Sequence, residues 1–500
     1  MNFARTGVLG ETAVRVEKKD APMFDRFITF FARLTPHELA ISTLAGQLTY
    51  AEFDAHIDRF AGALAECDPP RPGLVAVCVA DRHVHWMILA ALARLGVTSA
   101  SYMAMQRRQM EPLMRPDLVI TDEPPNDDDG PRPRLVRVTP DWLNAISARP
   151  AIKPPTAQID PDSLARVMTS SGTTGDPKKF GMTWRCVENR IMHAATVGTL
   201  KGARSLSLIG PEFYPYPSAF GDWARGGTVL FASNDPVELA RSLTRLRPTL
   251  LALVPIQLKA VLDALPEGFR ALPELMIGVS GSHTPRALRE ETRLRLTPNL
   301  TITYMSTEAA LMAAKPDTGG ADDADVGWVS PFTRLEVVDD ADQPVAPGSI
   351  GAIRVRGPGC IDGYLDDDEA NARYFRDGWF YPGDVGSLSA EGRLRIEGRL
   401  DEVMNFGGAK FMPHMIEAVA MACAGVRDAG AFALPDASGL DMPWIAVVRD
   451  PSLREADLAE ALMLPGLPPT HVVWIDTIPR TGTGKVQRAQ LQAAARALSS

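Results

Sequence analysis

Up to about Pro331 the chain repeats one pattern, a short run of β-branched and apolar residues followed by a longer amphipathic stretch. The runs start at Leu74 (LVAVCVA), Asp117 (DLVIT), Ser205 (SLSLIG), Thr228 (TVLFAS), Thr249 (TLLALVP) and Glu274 (ELMIGVS). Period-two or fully apolar runs of this length favour strands, and amphipathic stretches between them favour helices that cover a sheet, so the pattern argues for layered α/β structure. One such helix is DPVELARSLTRL, where Asp235 is suited to cap the first turn and Glu238 follows three residues on.

After about Pro331 the strands continue (RLEVVDD, GAIRVRG, GRLRIEG) without long helices between them, which predicts an antiparallel sheet or small barrel. From Asp401 helix and strand patterns alternate again in MIEAVAMAC, AGAFALP, PWIAVVRD and HVVWID. The expected fold is therefore α/β: a large N-terminal domain of layered α/β sheets over 1–400, with a β-barrel-like subdomain at about 331–400. A small mobile α+β domain follows over 401–500. A length of 500 residues with 45% hydrophobic content fits more than one core, since single cores stop growing near roughly 250–300 residues.

Against 52 Lys and Arg stand 61 Asp and Glu, a net charge of −9, and no basic run suits nucleic acid or an anionic membrane surface. The 5 cysteines, Cys67, Cys78, Cys186, Cys360 and Cys423, are far apart and include no C-x-x-C pair, which fits a reducing cytoplasm rather than a zinc site. The first 20 residues lack the apolar core of a secretion signal. The most apolar helical stretch, VHWMILAALARLGV, is too short to span a bilayer and carries Arg94. The expectation is a cytoplasmic monomer or homodimer with no stable membrane association.

MTSSGTTGDPKKF, from Met168 to Phe180, sets hydroxyls around two glycines and then adds lysines. Glycine lets backbone amides approach oxygen atoms, and lysine adds a point charge, so the loop suits a polyphosphate. A solvated linker is the other reading. The common nucleotide loop G-x-x-x-x-G-K-[ST] is absent.

The loop resembles the phosphate loop of the adenylate-forming superfamily, which includes acyl- and aryl-CoA synthetases, luciferases and peptide-synthetase adenylation domains. Four further segments resemble that family's motifs in the expected order: YMSTEAA from Tyr304, DGWFYPGDVG from Asp377, GRLDEVMNFGGAKFMPHMIE from Gly398 and PRTGTGKVQR from Pro479. Weaker similarity reaches back to LTYAEFDAHIDRFAGAL, so the resemblance covers nearly the whole chain.

The resemblance implies ATP, Mg²⁺ and coenzyme A as cofactors. Joining a carboxylate to the α-phosphate of ATP brings two anions together, which calls for charge screening more than for a proton-transfer base. By resemblance Thr169, Ser170, Ser171, Gly172, Thr173, Thr174, Gly175 and Lys178 hold the phosphates, and Gly281, Ser282, Tyr304, Met305, Ser306 and Thr307 border the nucleotide. Glu308 is the expected Mg²⁺ ligand, a hard oxygen donor, with a cap or surface carboxylate as the alternative. Asp384 would accept both ribose hydroxyls, and Arg399 would support ribose or phosphate unless it is a surface ion pair. Lys485, in a loop expected to be mobile and exposed, would reach in and bridge carboxylate and α-phosphate; with Glu308 and Thr173 it forms the expected catalytic set. Asp401 would be the hinge, and Gly407, Gly408 and Lys410 would line the thiol entry path or simply form a tight turn.

Two positions depart from the family pattern, Met305 in place of a glycine and Pro382 in place of a threonine, and Met305 places a flexible apolar side chain beside the expected pocket. The expected substrate pocket offers Phe213, Tyr214, Tyr216 and Phe220 and no aspartate to anchor an α-amino group, which points to an aryl or medium aliphatic acid. Each of these rings could equally be core. The implied activity is an acid:CoA ligase. No carrier domain follows Lys485, which favours CoA over the phosphopantetheine of a separate carrier protein. The alternatives are such carrier loading and a non-catalytic acyl-nucleotide sensor.

Overall fold

The computed structural model describes residues 23–124, 133–155, 158–170, 177–197, 202–210, 216–320, 322, 324–406, 409–436, 440–481 and 484–499. Every strand expected before Pro331 forms, among them Leu74–Cys78, Leu118–Thr121, Thr228–Phe231 and Met276–Val279. They sort into two sheets. One has six strands in the order Arg134–Arg137, Leu118–Thr121, Leu74–Cys78, Thr98–Ser101, Leu164–Ser170 and Lys178–Thr183, parallel except for the last hairpin. The other has Gln47–Thr49 antiparallel at its edge, followed by six parallel strands that end at Met276–Val279 and Asn299–Ser306.

Helix ends follow local chemistry. Thr49 caps Tyr50–Glu66: its hydroxyl accepts the Glu52 N–H, and the Glu52 carboxylate accepts the Thr49 N–H at 2.8 Å. Asp235 caps Pro236–Leu246 by accepting from the N–H groups of Val237 and Glu238. Arg94 lies buried at the end of Arg82–Arg94, where Asp54 at 2.5 Å and Asp58 at 2.7 Å neutralise it. No described helix is long and apolar enough to cross a membrane.

The strands between Pro331 and Arg399 are antiparallel, as their spacing implies, and they continue the second sheet. Ala310–Pro316 pairs with Asn299–Ser306, Asp325–Val329 pairs with Ala310–Pro316, and Arg393–Arg399 and Asp384–Leu388 follow. Hydrogen bonding between strands far apart in sequence joins the β-rich part to the α/β part, which strand periodicity alone does not encode. The C-terminal part has its own three-stranded sheet, Val426–Pro435, Asp441–Arg449 and His471–Trp474, with the helices Pro413–Met421 and Arg488–Ser499 packed on it. Its apolar side chains form separate cores around Ile416 and Phe432.

A cluster of rings anchors the N-terminal core. Trp223 is fully buried, donates its indole N–H to the Ala40 carbonyl at 2.9 Å, and packs against Phe53, Trp86 and Phe220. Trp223→Ala should leave a cavity and an unpaired carbonyl, and cost about 3–5 kcal/mol. A lowered midpoint in urea or thermal unfolding followed by circular dichroism checks this; an unchanged midpoint contradicts it.

Candidate functional site

The two strands that flank the expected phosphate segment pair Thr169 with Lys179 and Ser170 with Lys178. Ser171, Gly172, Thr173, Thr174 and Gly175 lie outside the described residues. This strand pair is tied to the β-rich part: Phe180 bridges to Tyr364, and the Leu365 N–H donates to the Lys179 carbonyl at 2.7 Å. Lys179 pairs with Asp366 at 2.7 Å, whereas the Lys178 ammonium stands 5.6 Å from the centre of the Tyr374 ring.

The strand Asn299–Ser306 delivers Tyr304, Met305, Ser306, Thr307 and Glu308 to the same region. Ser306 accepts the Ala309 N–H at 3.0 Å, and Ala310 takes a left-handed φ of 64°, a conformation costly for alanine that the surrounding sheet must enforce. Glu308 is buried at 7% exposure. Its Oε1 accepts the Tyr364 hydroxyl at 2.9 Å and its Oε2 the Thr307 hydroxyl at 3.0 Å. Its carbonyl accepts from Arg190 at 2.9 Å and from the Ile361 N–H at 2.9 Å. Arg190 and Tyr364 therefore hold Glu308 in place, and sequence reasoning missed both. Tyr364 could have been suspected as the residue before the acidic run LDDDE; Arg190, within a plain helical stretch, carries no local signal.

No group of three or more His, Cys, Asp or Glu side chains gathers among the described residues. A single buried carboxylate does not make a metal cage, but it fits Mg²⁺, which binds through one or two carboxylates together with phosphate oxygens and water.

Asp384 begins the strand Asp384–Leu388 and stands directly opposite Arg399 in register. Its Oδ2 accepts the Tyr304 hydroxyl, and its Oδ1 faces Arg399 Nη1 at 3.3 Å. Arg399 Nε also reaches Asp401 at 3.1 Å, in the turn Leu400–Glu402. Gly383, with φ at 80°, supplies the turn and the clearance, because a Cβ there would sit 3.1 Å from Arg399 Nη2. Burial pushes the Asp384 carboxyl above its ordinary range against the pull of Arg399, and burial followed by Asp384 pushes the Tyr304 hydroxyl up. Arg399 loses by burial, but Asp384 and Asp401 more than restore its charged form.

Lys485 sits in a hairpin closed by an Arg480–Val486 bridge, with its carbonyl accepting the Thr481 N–H at 2.8 Å. The sequence implied an exposed, mobile loop; the structure instead docks it. Gly484, with φ at 86°, brings the hairpin onto the N-terminal part, so that a Cβ there would lie 3.6 Å from Ile256 and from the Ser282 hydroxyl. That contact and the attraction of nearby carboxylates explain the docking. Burial, with Arg399 behind it, pushes the Lys485 ammonium below the ordinary lysine range, while Asp384, Glu308 and Glu402 act to keep it charged.

The structure thus brings together Glu308, Tyr304, Asp384, Arg399, Ser282 and Lys485. Gly281, with Ser282, follows the strand Met276–Val279 beside this group. Phe220 is taken up by the core at 1% exposure, one of the two places the sequence left open for it. Phe213 and Tyr214 lie outside the described residues, and Tyr216 opens the helix Tyr216–Trp223. Gly407 and Gly408 also lie outside them, and Lys410 is in the strand Ala409–Phe411. The structure gives no account of Pro382.

A family model described as AMP-binding enzyme matches residues 29–365. The chain belongs to this family. It is similar to a 3-hydroxybenzoate–CoA ligase of Aromatoleum sp. (strain CIB), 28% identical over 84% of this chain and 82% of that one. An indoleacetate–CoA ligase of Aromatoleum aromaticum (strain DSM 19018 / LMG 30748 / EbN1) is 29% identical over 91% of this chain and 95% of that one. Among solved structures, ATP-bound MatB from Rhodopseudomonas palustris superposes with a TM-score of 0.81 at 22% identity, covering 95% of this chain and 100% of that one.

The signs of these interactions give a test. Lys485 should titrate below the ordinary lysine range, and Asp384→Asn should lower its pKa further, because a carboxylate that holds the proton is removed. The pH dependence of Lys485 acetylation, quantified by mass spectrometry on the folded protein, reads this directly. A rise on Asp384→Asn would contradict the arrangement.

Proposed function

We propose that the chain is an AMP-forming acid:CoA ligase acting on an aryl or medium aliphatic carboxylic acid. The observation that carries this reading is the docking of Lys485 from the C-terminal part across the Asp384 and Glu308 carboxylates. The substrate carboxylate attacks the α-phosphate of ATP, pyrophosphate leaves, and the acyl-AMP then reacts with a thiol to give a thioester and AMP.

Each residue has a task that its surroundings suit. Asp384 accepts the ribose hydroxyls, a role one carboxylate can fill with two bonds. Arg399 keeps Asp384 ionised and oriented. The phosphate loop, with Lys178 at its stem, holds the β- and γ-phosphates. Glu308, fixed by Tyr364 and Arg190, presents its carboxylate for Mg²⁺, which when bound neutralises phosphate charge. Lys485 offsets the repulsion between the incoming carboxylate and the α-phosphate in a site where water is scarce and charge counts for more. The domains are 1–400, with its β-rich part at about 331–400, and 401–500, which turns at Asp401. That turn withdraws Lys485 and brings up the face carrying Gly407, Gly408 and Lys410 for the thiol step.

Phe213, Tyr214 and Tyr216 are the proposed pocket side chains, and the CoA ligases of aromatic acids to which the chain is similar support an aryl acid. Pyrophosphate release across a panel of hydroxybenzoates, indoleacetate, ferulate, medium-chain fatty acids and α-amino acids tests the substrate. An aromatic acid should turn over best, and an amino acid giving the best turnover would refute the reading. Offering CoA and phosphopantetheinylated carrier proteins to the same reaction identifies the acceptor, with CoA expected.

The two half-reactions should separate in one variant. Lys485→Ala should slow acyl-AMP formation by roughly 10²–10³, the loss typical of one preorganised electrostatic contact. It should still convert chemically prepared acyl-AMP and CoA to thioester at near the parental rate. Equal loss of both steps in a folded variant would make Lys485 structural.

A further inference from the structure

Lys178 emerges from the phosphate hairpin beside an acidic run, Asp366, Asp367, Asp368 and Glu369, yet it forms no ion pair with a described residue. The neighbouring carboxylates are engaged locally. Asp366 takes Lys179, Asp367 caps the helix Asp368–Tyr374 by accepting the Ala370 N–H at 2.9 Å, and Asp368 and Glu369 lie in its first turn. Lys178 instead points its ammonium at the face of Tyr374, 5.6 Å from the ring centre, within the range where a ring quadrupole attracts a cation. Arg373 approaches the same ring at 5.3 Å.

The ring is itself held. Tyr374 meets Tyr364 edge to face at 6.1 Å, and the Tyr374 carbonyl accepts the Tyr381 N–H at 2.8 Å. Tyr364 in turn donates its hydroxyl to Glu308. One aromatic pair therefore connects the loop lysine to the buried glutamate. A π face attracts an ammonium without consuming its charge, whereas a carboxylate would neutralise it and have to be displaced by the incoming phosphate.

We propose that Tyr374 is a positioning residue that keeps Lys178 extended and unpaired for the phosphates of ATP. This rests on the assignment of Lys178 to those phosphates. Loss of the ring should let Lys178 swing to the adjacent acidic run, weakening ATP binding more than the chemical step.

The test measures ATP affinity by calorimetry with MgATP, and KM for ATP and kcat by pyrophosphate release, in Tyr374→Phe, Tyr374→Leu, Lys178→Met and the Lys178→Met/Tyr374→Leu pair. Circular dichroism confirms folding. Phenylalanine keeps the ring face and should bind ATP as the parent does. Leucine should weaken ATP binding and raise KM roughly 3- to 10-fold, the size of one partly exposed cation–π contact, with kcat changed less. In the Lys178→Met background leucine should add nothing further, because the contact it removes is already gone. Equal effects of phenylalanine and leucine, or a leucine effect that persists undiminished without Lys178, would make Tyr374 a packing residue and overturn the proposal. Unchanged ATP affinity in Lys178→Met alone would overturn the assignment of the lysine itself, and the proposal with it.

Discussion

The Arg399 guanidinium lies between two carboxylates, and much of the molecule is arranged around it. On one side is Asp384, opposite it in the strand pair; on the other is Asp401, in the turn where the chain leaves the β-rich part. Asp384 is largely withdrawn from water, Arg399 is partly buried, and Asp401 is exposed. A buried charge is tolerated only when paired and hydrogen-bonded, so removing either carboxylate would leave Arg399 undercompensated. Lys485 adds a second cation to this neighbourhood, and Arg399 opposes it. What makes its entry favourable is the pair of carboxylates, Asp384 and Glu308, that it approaches. Docking of the C-terminal part and the charge state of Asp384 and Glu308 are thus the same problem.

The lysine hairpin is held at both shoulders. Arg480 pairs with Asp428 at 2.6 Å and donates to the Gly484 carbonyl at 2.8 Å, which fixes the loop to its own sheet. Arg488 reaches Glu417 at 2.8 Å and Glu402 at 3.4 Å, which fixes it to the turn at the boundary. Burial pushes the Glu417 carboxyl up, and Arg488 acts to keep it ionised. The turn Leu400–Glu402 therefore carries two ion pairs that face opposite ways, Asp401 back to Arg399 and Glu402 forward to Arg488. A rotation at this turn alters both contacts together, which is how three residues can couple the position of Lys485 to the geometry at Asp384.

Much of this was legible in the sequence wherever the cause is local. The strands at Leu74, Thr228 and Met276 follow from apolar runs, the helix start at Asp235 follows from its capping side chain, and Glu308, Asp384 and Lys485 stand out in short motifs. The rest depends on contacts between distant segments. Tyr364 supports Glu308 across 56 positions and Arg190 across 118, and neither separation leaves a periodic trace. Phe220 was ambiguous because an aromatic in a pocket and one in a core look alike until the Trp86 and Trp223 rings close on it. The docked state of Lys485 was missed for a related reason: a Gly-rich loop reads as mobile, and the residues it packs near, Ile256 and Ser282, lie on another part of the chain.

A chain with a net charge of −9 that binds a polyphosphate must do so through local field rather than overall charge. The salt-bridge pattern shows how that is done. Many arginines and lysines among the described residues are matched to carboxylates, as Lys179 is to Asp366 and Arg94 to Asp54 and Asp58. Pairs exposed to solvent, such as Arg185 with Asp162, contribute little to stability but cancel charge at distances beyond roughly a Debye length. Lys178 stands over an aromatic ring, and Lys485 is partly buried beside Asp384, Glu308 and Glu402, which act to keep it charged. With water excluded, attraction at a few ångströms grows as the effective dielectric falls, whereas repulsion from the remaining surface carboxylates is screened by solvent. The net sign of the chain then matters to its solubility and encounter rate.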